Sequence, residues 1–267
     1  MTKTRNMNKI LFFIFVCLSC APLLLLVVLS IGVSWPYPLL LPGVSSIRFF
    51  HTVFNDIQSL MAIATTVILA FLVTILTILI AVPAAKSLAL YNFRGKGLVK
   101  VLVLIPLVVP AISVTMGIHI SMIRLGLTGT FAGVAIIHSV FTLPYAIRIM
   151  VNVFEIVGDK FEQQATVLRA NAWFTFFRVT LPVIMPGILS AAAISFTVSI
   201  SQYITTFLIG GGRIITMTML LVPFIRSVEV QVASVYSLIL VGAALLSLFC
   251  IERAVRWFYN LENIVFV

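Results

Sequence analysis

The chain has 267 residues, of which 62% are hydrophobic and 9% are charged, and its mean hydropathy is +1.23. A water-soluble domain of this composition would expose a large apolar surface, so an integral membrane protein is predicted. The net charge of +10 comes from basic residues dispersed along the chain, which excludes a concentrated nucleic-acid-binding face.

Six apolar runs are long enough to cross a bilayer, whose hydrocarbon core takes about 20 helical residues. We therefore predict an all-α membrane protein with six transmembrane helices and no second soluble domain. The predicted spans are roughly 10–31, 60–85, 99–121, 130–150, 183–209 and 234–251.

The distribution of basic residues predicts the orientation. With the N-terminus inside, all but four of the 17 Lys and Arg residues fall in inner segments; the four are Arg48, Arg124, Arg213 and Arg226. Because Lys and Arg are concentrated in cytoplasmic loops, both termini are predicted to face the cytoplasm. The first apolar run continues to about Ile31 without a small-residue cleavage pattern, so it is predicted to be a retained span rather than a signal peptide.

Two of the loops have distinctive residues. The outer segment 32–59 contains Trp35-Pro36-Tyr37-Pro38, which suits the membrane interface and predicts a cap or entrance loop. The inner segment 86–98 contains Gly95-Lys96-Gly97 but lacks the other residues of a phosphate-binding loop, so no nucleotide site is predicted.

Polar or helix-breaking residues lie within the third and fourth spans, among them Pro106, Pro110 and His138. Pro106 and Pro110 predict a kink or an opened backbone in the third span. His138 lies in the fourth span with no Asp, Glu or Lys in the same span, so a hydrogen-bonded packing histidine is favoured over a proton relay.

The segment between the fourth and fifth spans is the most informative part of the chain. Glu162-Gln163-Gln164 open a helical turn, and four aromatic residues supply an amphipathic surface: Trp173, Phe174, Phe176 and Phe177. Pro182 and Pro186 then begin the next apolar run. The segment is predicted to dock on another protein beneath the membrane.

Polar residues form a stripe on one face of the fifth span, at spacings of four, three and four; they are Ser195, Ser199, Gln202 and Thr206. Helix-to-helix packing would explain small hydroxylated residues, whereas Gln202 and Tyr203 are bulkier than close packing requires. Two interpretations stay open: packing, or a translocation pathway lined by these four residues and Tyr203. No cluster for a metal or a catalytic site lies within a span.

Gly210-Gly211-Gly212-Arg213 follows the fifth span and frees the backbone to turn at the outer surface. A simple turn is one interpretation. The other is an outer gate, in which the apolar segment from Thr216 to Ile225 forms an interfacial helix that moves with it.

Three features carry a family resemblance: the span pattern, Leu143-Pro144-Tyr145 in the fourth span, and the passage from Trp173 through Arg178-Val179-Thr180-Leu181-Pro182 to Pro186-Gly187. By these features the chain resembles permease subunits of binding-protein-dependent ABC importers of the type I fold. The resemblance covers nearly the whole of residues 1–267, as one permease domain with a helical cytoplasmic coupling loop at about 155–182. It implies that the coupling residues are Glu162, Gln163, Gln164, Ala165, Leu168, Arg169 and Ala170.

The coupling loop departs from the family pattern at two positions. Gln163 stands where the family usually has a glutamate, and Arg169 stands where it usually has a glycine. Arg169 therefore predicts either a relaxed helix or a partner surface that receives a cation.

The resemblance implies a non-catalytic subunit of a bacterial cytoplasmic (inner) membrane importer. Its partners would be membrane lipid, two ATP-binding cassette subunits that bind ATP and Mg, an extracytoplasmic solute-binding protein and a second permease, for which a related but different chain is favoured. No cofactor is expected on this chain. The Trp35 loop and the Ser201-to-Arg213 passage look nearest to the branch that handles polyamines, iron, thiamine and phosphonates, while the basic outer ends favour a neutral or anionic solute.

The alternative is a stand-alone channel or secondary transporter, supported by the polar fifth span and the kinked third. The lack of buried ionisable residues, and of clear inverted-repeat symmetry in the span pattern, argues against it. A membrane scaffold whose inner loop only recruits a partner is a third possibility.

Overall fold

The computed structural model describes the backbone of residues 2–34, 44–227 and 229–265, and the side chains of 11–12, 14–33, 45–227 and 229–253. The Trp35-Pro36-Tyr37-Pro38 sequence lies outside the described residues. Twelve α-helices, a short π-helical segment and two short strands are found in the described part.

The N-terminal half of the chain contains these elements in order: α1 (Thr2–Ile31), β1 (Gly32–Ser34), β2 (Val44–Ser45), α2 (Arg48–Asn55), α3 (Ile57–Leu90), α4 (Lys96–Val108) and α5 (Ala111–Arg124). The C-terminal half continues with α6 (Phe131–Val157), α7 (Lys160–Val167), α8 (Ala172–Thr175), the π-helical segment (Phe176–Thr180), α9 (Leu181–Ile200), α10 (Ile204–Gly210), α11 (Met217–Arg226) and α12 (Val230–Val265).

The apolar helices agree with the predicted all-α membrane fold. Among the described residues, five stretches are long and apolar enough to cross a membrane: Ile14–Ile31, Ile57–Leu90, Phe131–Val157, Ala172–Ile200 and Val230–Arg253. Helices α4 and α5 qualify together but are bent by 107°. They supply a sixth span if the pair crosses as one broken unit.

The bend between α4 and α5 follows from the proline chemistry. Pro110 has no N–H to donate and its ring disfavours helical backbone at the residue before it. Val109 is accordingly extended, with φ −82° and ψ 135°. The interruption predicted in the third span is therefore confirmed at Pro110, whereas Pro106 is accommodated inside α4.

One compact unit comprises residues 1–62 and 220–242. Within it, α1 contacts α2, and β1 pairs with β2 in an antiparallel ladder. The Asp56 carboxylate accepts hydrogen bonds from the Ser59 N–H at 3.0 Å and the Ser59 hydroxyl at 2.7 Å, which caps the first turn of α3. The Ser59 hydroxyl also lies 2.5 Å from the Tyr236 hydroxyl, and the Tyr236 ring stacks on Phe224.

The other compact unit comprises residues 63–219 and 243–267, and α6 lies at the centre of its core. Toward the C-terminal end of α6, one cluster of buried residues joins it to α3 and α9 and includes Ala81, Ala85, Met150 and Ala191. Toward the N-terminal end of α6, a second cluster joins it to α3, α5 and α10. The alanines allow the helix backbones to approach closely, which is how helices pack where lipid provides no hydrophobic drive.

Gly187 marks the closest approach of α9 to α6. A Cβ built at Gly187 would lie 2.5 Å from Val153 Cγ2 and 3.2 Å from Val153 Cβ. Because the Val153 Cβ is attached directly to the backbone, rotation of its side chain cannot remove both contacts.

Gly187→Ala is therefore expected to lower the free energy of unfolding by about 1–3 kcal/mol, despite the better helix propensity of alanine. Thermal unfolding in detergent measures the change. Gly242→Ala is the matched control, since Gly242 lies in α12 with nothing within 4 Å of its added Cβ. Val153→Ala combined with Gly187→Ala should recover part of the loss; equal stability of the two glycine variants would contradict the close approach.

Candidate functional site

The α6–α9 connection (residues 158–180) begins where Gly158 ends α6 in a left-handed backbone conformation, with φ +67°. Helix α7 follows directly. The Asn171 side chain then starts α8 by accepting a hydrogen bond from the Phe174 N–H at 2.7 Å. The connection thus consists of two short helices followed by the π-helical segment, in agreement with the predicted helical loop.

Arg169 forms the turn between α7 and α8 and has φ +57°, the only positive φ at a non-glycine residue in the described part of the chain. The Arg169 N–H donates to the Thr166 carbonyl at 2.9 Å, and the Ala170 N–H donates to the Ala165 carbonyl at 3.0 Å. These two bonds form a Schellman motif, which usually places glycine at this position. The prediction of a relaxed helix is therefore wrong: the tight turn forms although Arg169, unlike glycine, carries a Cβ.

The α6–α9 connection exposes large apolar side chains. Val167, Leu168 and Trp173 are 83%, 82% and 75% exposed. The Trp173 ring stacks on Phe177 with 5.7 Å between ring centroids, so part of this surface is preorganised. Next to it is a cavity of about 520 Å³, whose lining includes Gln164, Leu168 and Phe174.

The structure divides the seven predicted coupling residues by exposure. Gln163, Gln164, Leu168 and Arg169 are exposed, Ala170 is half-buried and Ala165 is buried. Gln163 donates to the Asp159 carboxylate at 2.7 Å along the same helix. Their role in coupling stays a prediction, for which the four exposed residues have the required accessibility.

Glu162 is the exception, because its side chain turns inward. Lys86 Nζ, from α3, donates to both Glu162 carboxylate oxygens at 2.8 Å and 2.7 Å. The Thr180 hydroxyl donates to the same carboxylate at 2.6 Å. Partial burial alone would raise the pKa of Glu162, but the hydrogen bonds from Lys86 and Thr180 outweigh it and hold the pKa below its ordinary value. Glu162 is therefore ionised at neutral pH.

The fifth predicted span is not one continuous helix, which corrects the expectation for 183–209. Helix α9 ends at Ile200 and α10 begins at Ile204, so Ser195 and Thr206 are not on one unbroken helical face. The Gln202 carbonyl, freed by the interruption, accepts hydrogen bonds from the hydroxyls of Thr206 at 3.0 Å and Thr218 at 3.1 Å. Hydroxyl side chains thus replace the missing backbone bonds.

His138 bridges the interruption from α6. Its ring is fully buried, with Nδ1 lying 3.0 Å from the Ser199 hydroxyl and Nε2 lying 2.9 Å from the Thr206 hydroxyl. Both ring nitrogens therefore have partners, as expected for a hydrogen-bonded packing histidine. Ser195, Ser199 and Thr206 are also buried inside the chain. That these three residues line a translocation pathway stays a prediction.

Gln202 is the member of the predicted stripe that reaches an open space. It lines a cavity of about 340 Å³ together with Pro110, Ala111, Tyr145 and residues nearby. The interruption between α4 and α5 and the one between α9 and α10 thus meet at one cavity. Tyr203 is half-buried and stacks on Phe207 at 5.8 Å. The sequence pattern predicts only a kink at Pro110 and gives no sign that Tyr145 lines a cavity.

The predicted outer-gate residues form a tight turn. Gly210 ends α10, and Gly211 and Gly212 have φ +55° and +75°, which only glycine adopts without strain. The Arg213 side chain packs on Gly129. The apolar helix expected from Thr216 to Ile225 is confirmed as α11, while its role in gating stays a prediction. Among the described residues no group of His, Cys, Asp and Glu could hold a metal ion.

Comparison with known proteins defines the class. Residues 77–260 match the family described as the binding-protein-dependent transport system inner membrane component. The chain is 34% identical over 168 residues to the molybdenum transport system permease protein ModB of Azotobacter vinelandii, covering 58% of this chain and 74% of that protein. It is 25% identical over 256 residues to the sulfate transport system permease protein CysT of Escherichia coli, covering 90% and 88%.

A solved structure shows the same fold. The structure of a bacterial ABC transporter involved in the import of the acidic polysaccharide alginate matches with a TM-score of 0.72 and 16% identity, covering 97% of both chains. The chain therefore belongs to the family of binding-protein-dependent transport system inner membrane components. It is a transmembrane permease subunit of an ABC importer. The polyamine, iron, thiamine and phosphonate branch is not confirmed, since the two relatives above are named for molybdenum and sulfate.

Arg169→Gly is expected to stabilise the α7–α8 turn by about 1 kcal/mol, because glycine removes the cost of a Cβ at positive φ. Hydrogen exchange at the α7 amides measures the effect as slower exchange. Arg169→Ala is the control, since it removes the charge but keeps the Cβ. Equal protection in both variants would show that the charge, rather than the backbone conformation, limits the turn.

Proposed function

We propose that this chain and a second permease subunit enclose a pathway for a small oxyanion of the sulfate or molybdate type. An extracytoplasmic solute-binding protein delivers the solute, and two cytoplasmic ATP-binding cassette subunits, which bind ATP and Mg, drive the change in access. The observation that carries the coupling part of this proposal is the exposed apolar surface of the α6–α9 connection.

Solvation favours docking of a partner at this surface. Leu168 and Trp173 are exposed beside polar residues such as Gln163 and Gln164, so the surface does not suit the hydrocarbon interior of a bilayer. A contiguous apolar surface in water is typical of a protein interface, and exposed aromatic residues are typical of its energetic centre. Arg169, whose side chain forms no hydrogen bond or ion pair among the described residues, supplies a cation for the same interface.

The orientation in the proposal rests on charge. Lys86, Lys160, Arg169 and Arg178 all lie in or beside the α6–α9 connection, and basic residues favour the cytoplasmic side. We therefore propose that this connection and both chain termini face the cytoplasm.

The proposed solute class rests on two observations. Relatives of this chain are named for molybdenum and sulfate transport. Sulfate is a tetrahedral oxyanion, and molybdenum forms the tetrahedral oxyanion molybdate in neutral water. The cavity beside Gln202 is lined by uncharged residues, so no carboxylate there repels an anion, and the Gln202 amide is available as a hydrogen-bond donor. This cavity supports an anion better than a polyamine.

For the second permease subunit we propose a related but different chain. Two copies of this chain would both carry glutamine at position 163 and arginine at position 169, so both coupling loops would depart from the usual pattern. Purification with two differently tagged copies tests this point. Recovery of both tags in one assembly that lacks a second permease would overturn it.

Gentle-detergent purification of the tagged chain from its native membrane, followed by mass spectrometry, tests the importer itself. We expect an ATPase and a second permease to be recovered, and the reconstituted assembly to take up molybdate or sulfate only with ATP. Recovery of the chain alone even after crosslinking, with ATP-independent uptake, would favour the stand-alone channel or carrier.

Two variants should separate docking from the pathway. Leu168→Ser is expected to weaken ATPase attachment about tenfold or more, because it truncates an exposed apolar anchor, while Leu125→Ser, at another exposed leucine, is the control. Gln202→Leu should reduce uptake with the ATPase still attached. If Leu168→Ser left ATPase attachment and coupling unchanged, Leu168 would not be part of the interface.

A further inference from the structure

We propose that Glu162 is a positioning residue that transmits the movement of α7 to the ends of α3 and α9. The inference rests on the proposed function of the α6–α9 connection as the ATPase docking site. It assigns to Glu162 a role different from that of the exposed loop residues: Glu162 contacts the membrane-spanning helices rather than the ATPase.

The contacts that carry the inference all converge on one carboxylate. Both oxygens of Glu162 accept from Lys86 Nζ, at 2.8 Å and 2.7 Å, and Oε1 also accepts from the Thr180 hydroxyl at 2.6 Å. Lys86 lies near the C-terminal end of α3, and Thr180 directly precedes α9. One side chain of α7 is therefore bonded to α3 and to the residue directly before α9.

The ion pair between Lys86 and Glu162 is better placed to carry force than an ordinary surface ion pair. The side chains of Lys86 and Glu162 are only 26% and 24% exposed, so water screens their attraction less. The ion pair between Lys100 of α4 and Glu155 of α6 provides a contrast within the same chain. Its atoms are 3.8 Å apart and its side chains are 45% and 50% exposed.

Side-chain packing is incomplete beside the Lys86–Glu162 pair. A cavity of about 350 Å³ lies beside the pair, lined by Lys86, Glu162, Thr166, Thr175 and neighbouring residues. The side chain of the neighbouring Gln163 is exposed and bonds to Asp159, the residue directly before α7. Because side chains do not fill this space, the polar contacts of Glu162 fix the position of α7 together with the buried Ala165.

Movement at α7 has a route to the interrupted helix. Thr180 ends the π-helical segment, and such segments are frequent at functional sites. Helix α9 runs from Leu181 to Ile200, where the interruption beside Gln202 begins. A displacement of α7 that pulls on Thr180 therefore acts on the base of the helix that leads to the Gln202 cavity.

The test uses the complete importer, reconstituted in lipid vesicles with its ATPase and binding protein. The variants are Glu162→Gln, Lys86→Met, and the charge exchange of Lys86→Glu with Glu162→Lys. Two quantities are measured for each: the affinity of ATPase attachment, and the number of ATP molecules hydrolysed per molybdate or sulfate ion imported. The thermal midpoint of each assembly is recorded alongside.

We expect the single variants to raise the ATP used per imported ion by about fivefold or more, with ATPase attachment unchanged. The charge exchange should return the ratio toward that of the unmodified importer, because it restores an ion pair between the same helices. Lys100→Met is the matched control, since it breaks the exposed ion pair with the same side-chain change, and its ratio should not move.

The outcomes distinguish this inference from the proposed function. Normal ATPase attachment with an unchanged ratio in both single variants would overturn the inference alone. An unmodified assembly that binds no ATPase would overturn the proposed function and this inference with it. If Glu162→Gln fails to assemble, Thr180→Val decides, because it keeps the ion pair and breaks only the link to α9: a raised ratio supports the transmission and an unchanged ratio refutes it.

Discussion

The close packing of α9 on α6 is the contact on which the rest of this permease depends. Alanines at the α3, α6 and α9 interfaces, together with Gly187 against Val153, allow the helix backbones to approach closely. The same two helices are joined by the α6–α9 connection, so their packing sets the distance that the two short helices must bridge. It also places His138 of α6 against the interruption after Ile200. One interface therefore positions both the α6–α9 connection at one end of the helix pair and the His138 contacts at the other.

Both helix interruptions in the membrane-spanning region meet the same physical requirement by different means. In a bilayer every backbone polar group needs a partner within the protein. At Val109–Pro110 the proline removes one donor outright, so fewer groups are left to satisfy. At residues 201–203 the hydroxyls of Thr206 and Thr218 bond to the Gln202 carbonyl instead. Because these interruptions meet at one cavity, polar backbone and the Gln202 side chain are concentrated at the place where we propose the solute pathway.

The α6–α9 connection separates its two proposed tasks, docking and transmission, by the direction in which side chains point. Leu168 and Trp173 point outward and offer apolar area to a partner, while Glu162 points inward to Lys86 and Thr180. The turn at Arg169 joins the two short helices with the backbone of a glycine motif but retains a cation. A surface that can bind a partner is thus carried on a helix that polar contacts tie to the spans.

The sequence by itself determined the class of protein, the approximate spans, the break at Pro110 and the helical connection with its exposed aromatic residues, because hydropathy and proline chemistry act over short stretches of chain. It also located the departure at Arg169, since the surrounding pattern calls for a glycine there. Only the tertiary structure decided that Ser199 and Thr206 bond to His138 and that α9 stops at Ile200, where no proline or glycine signals a break. The sequence also does not predict the pairing of Glu162 with Lys86, 76 residues away, because such a contact depends on which helix ends the packing brings together.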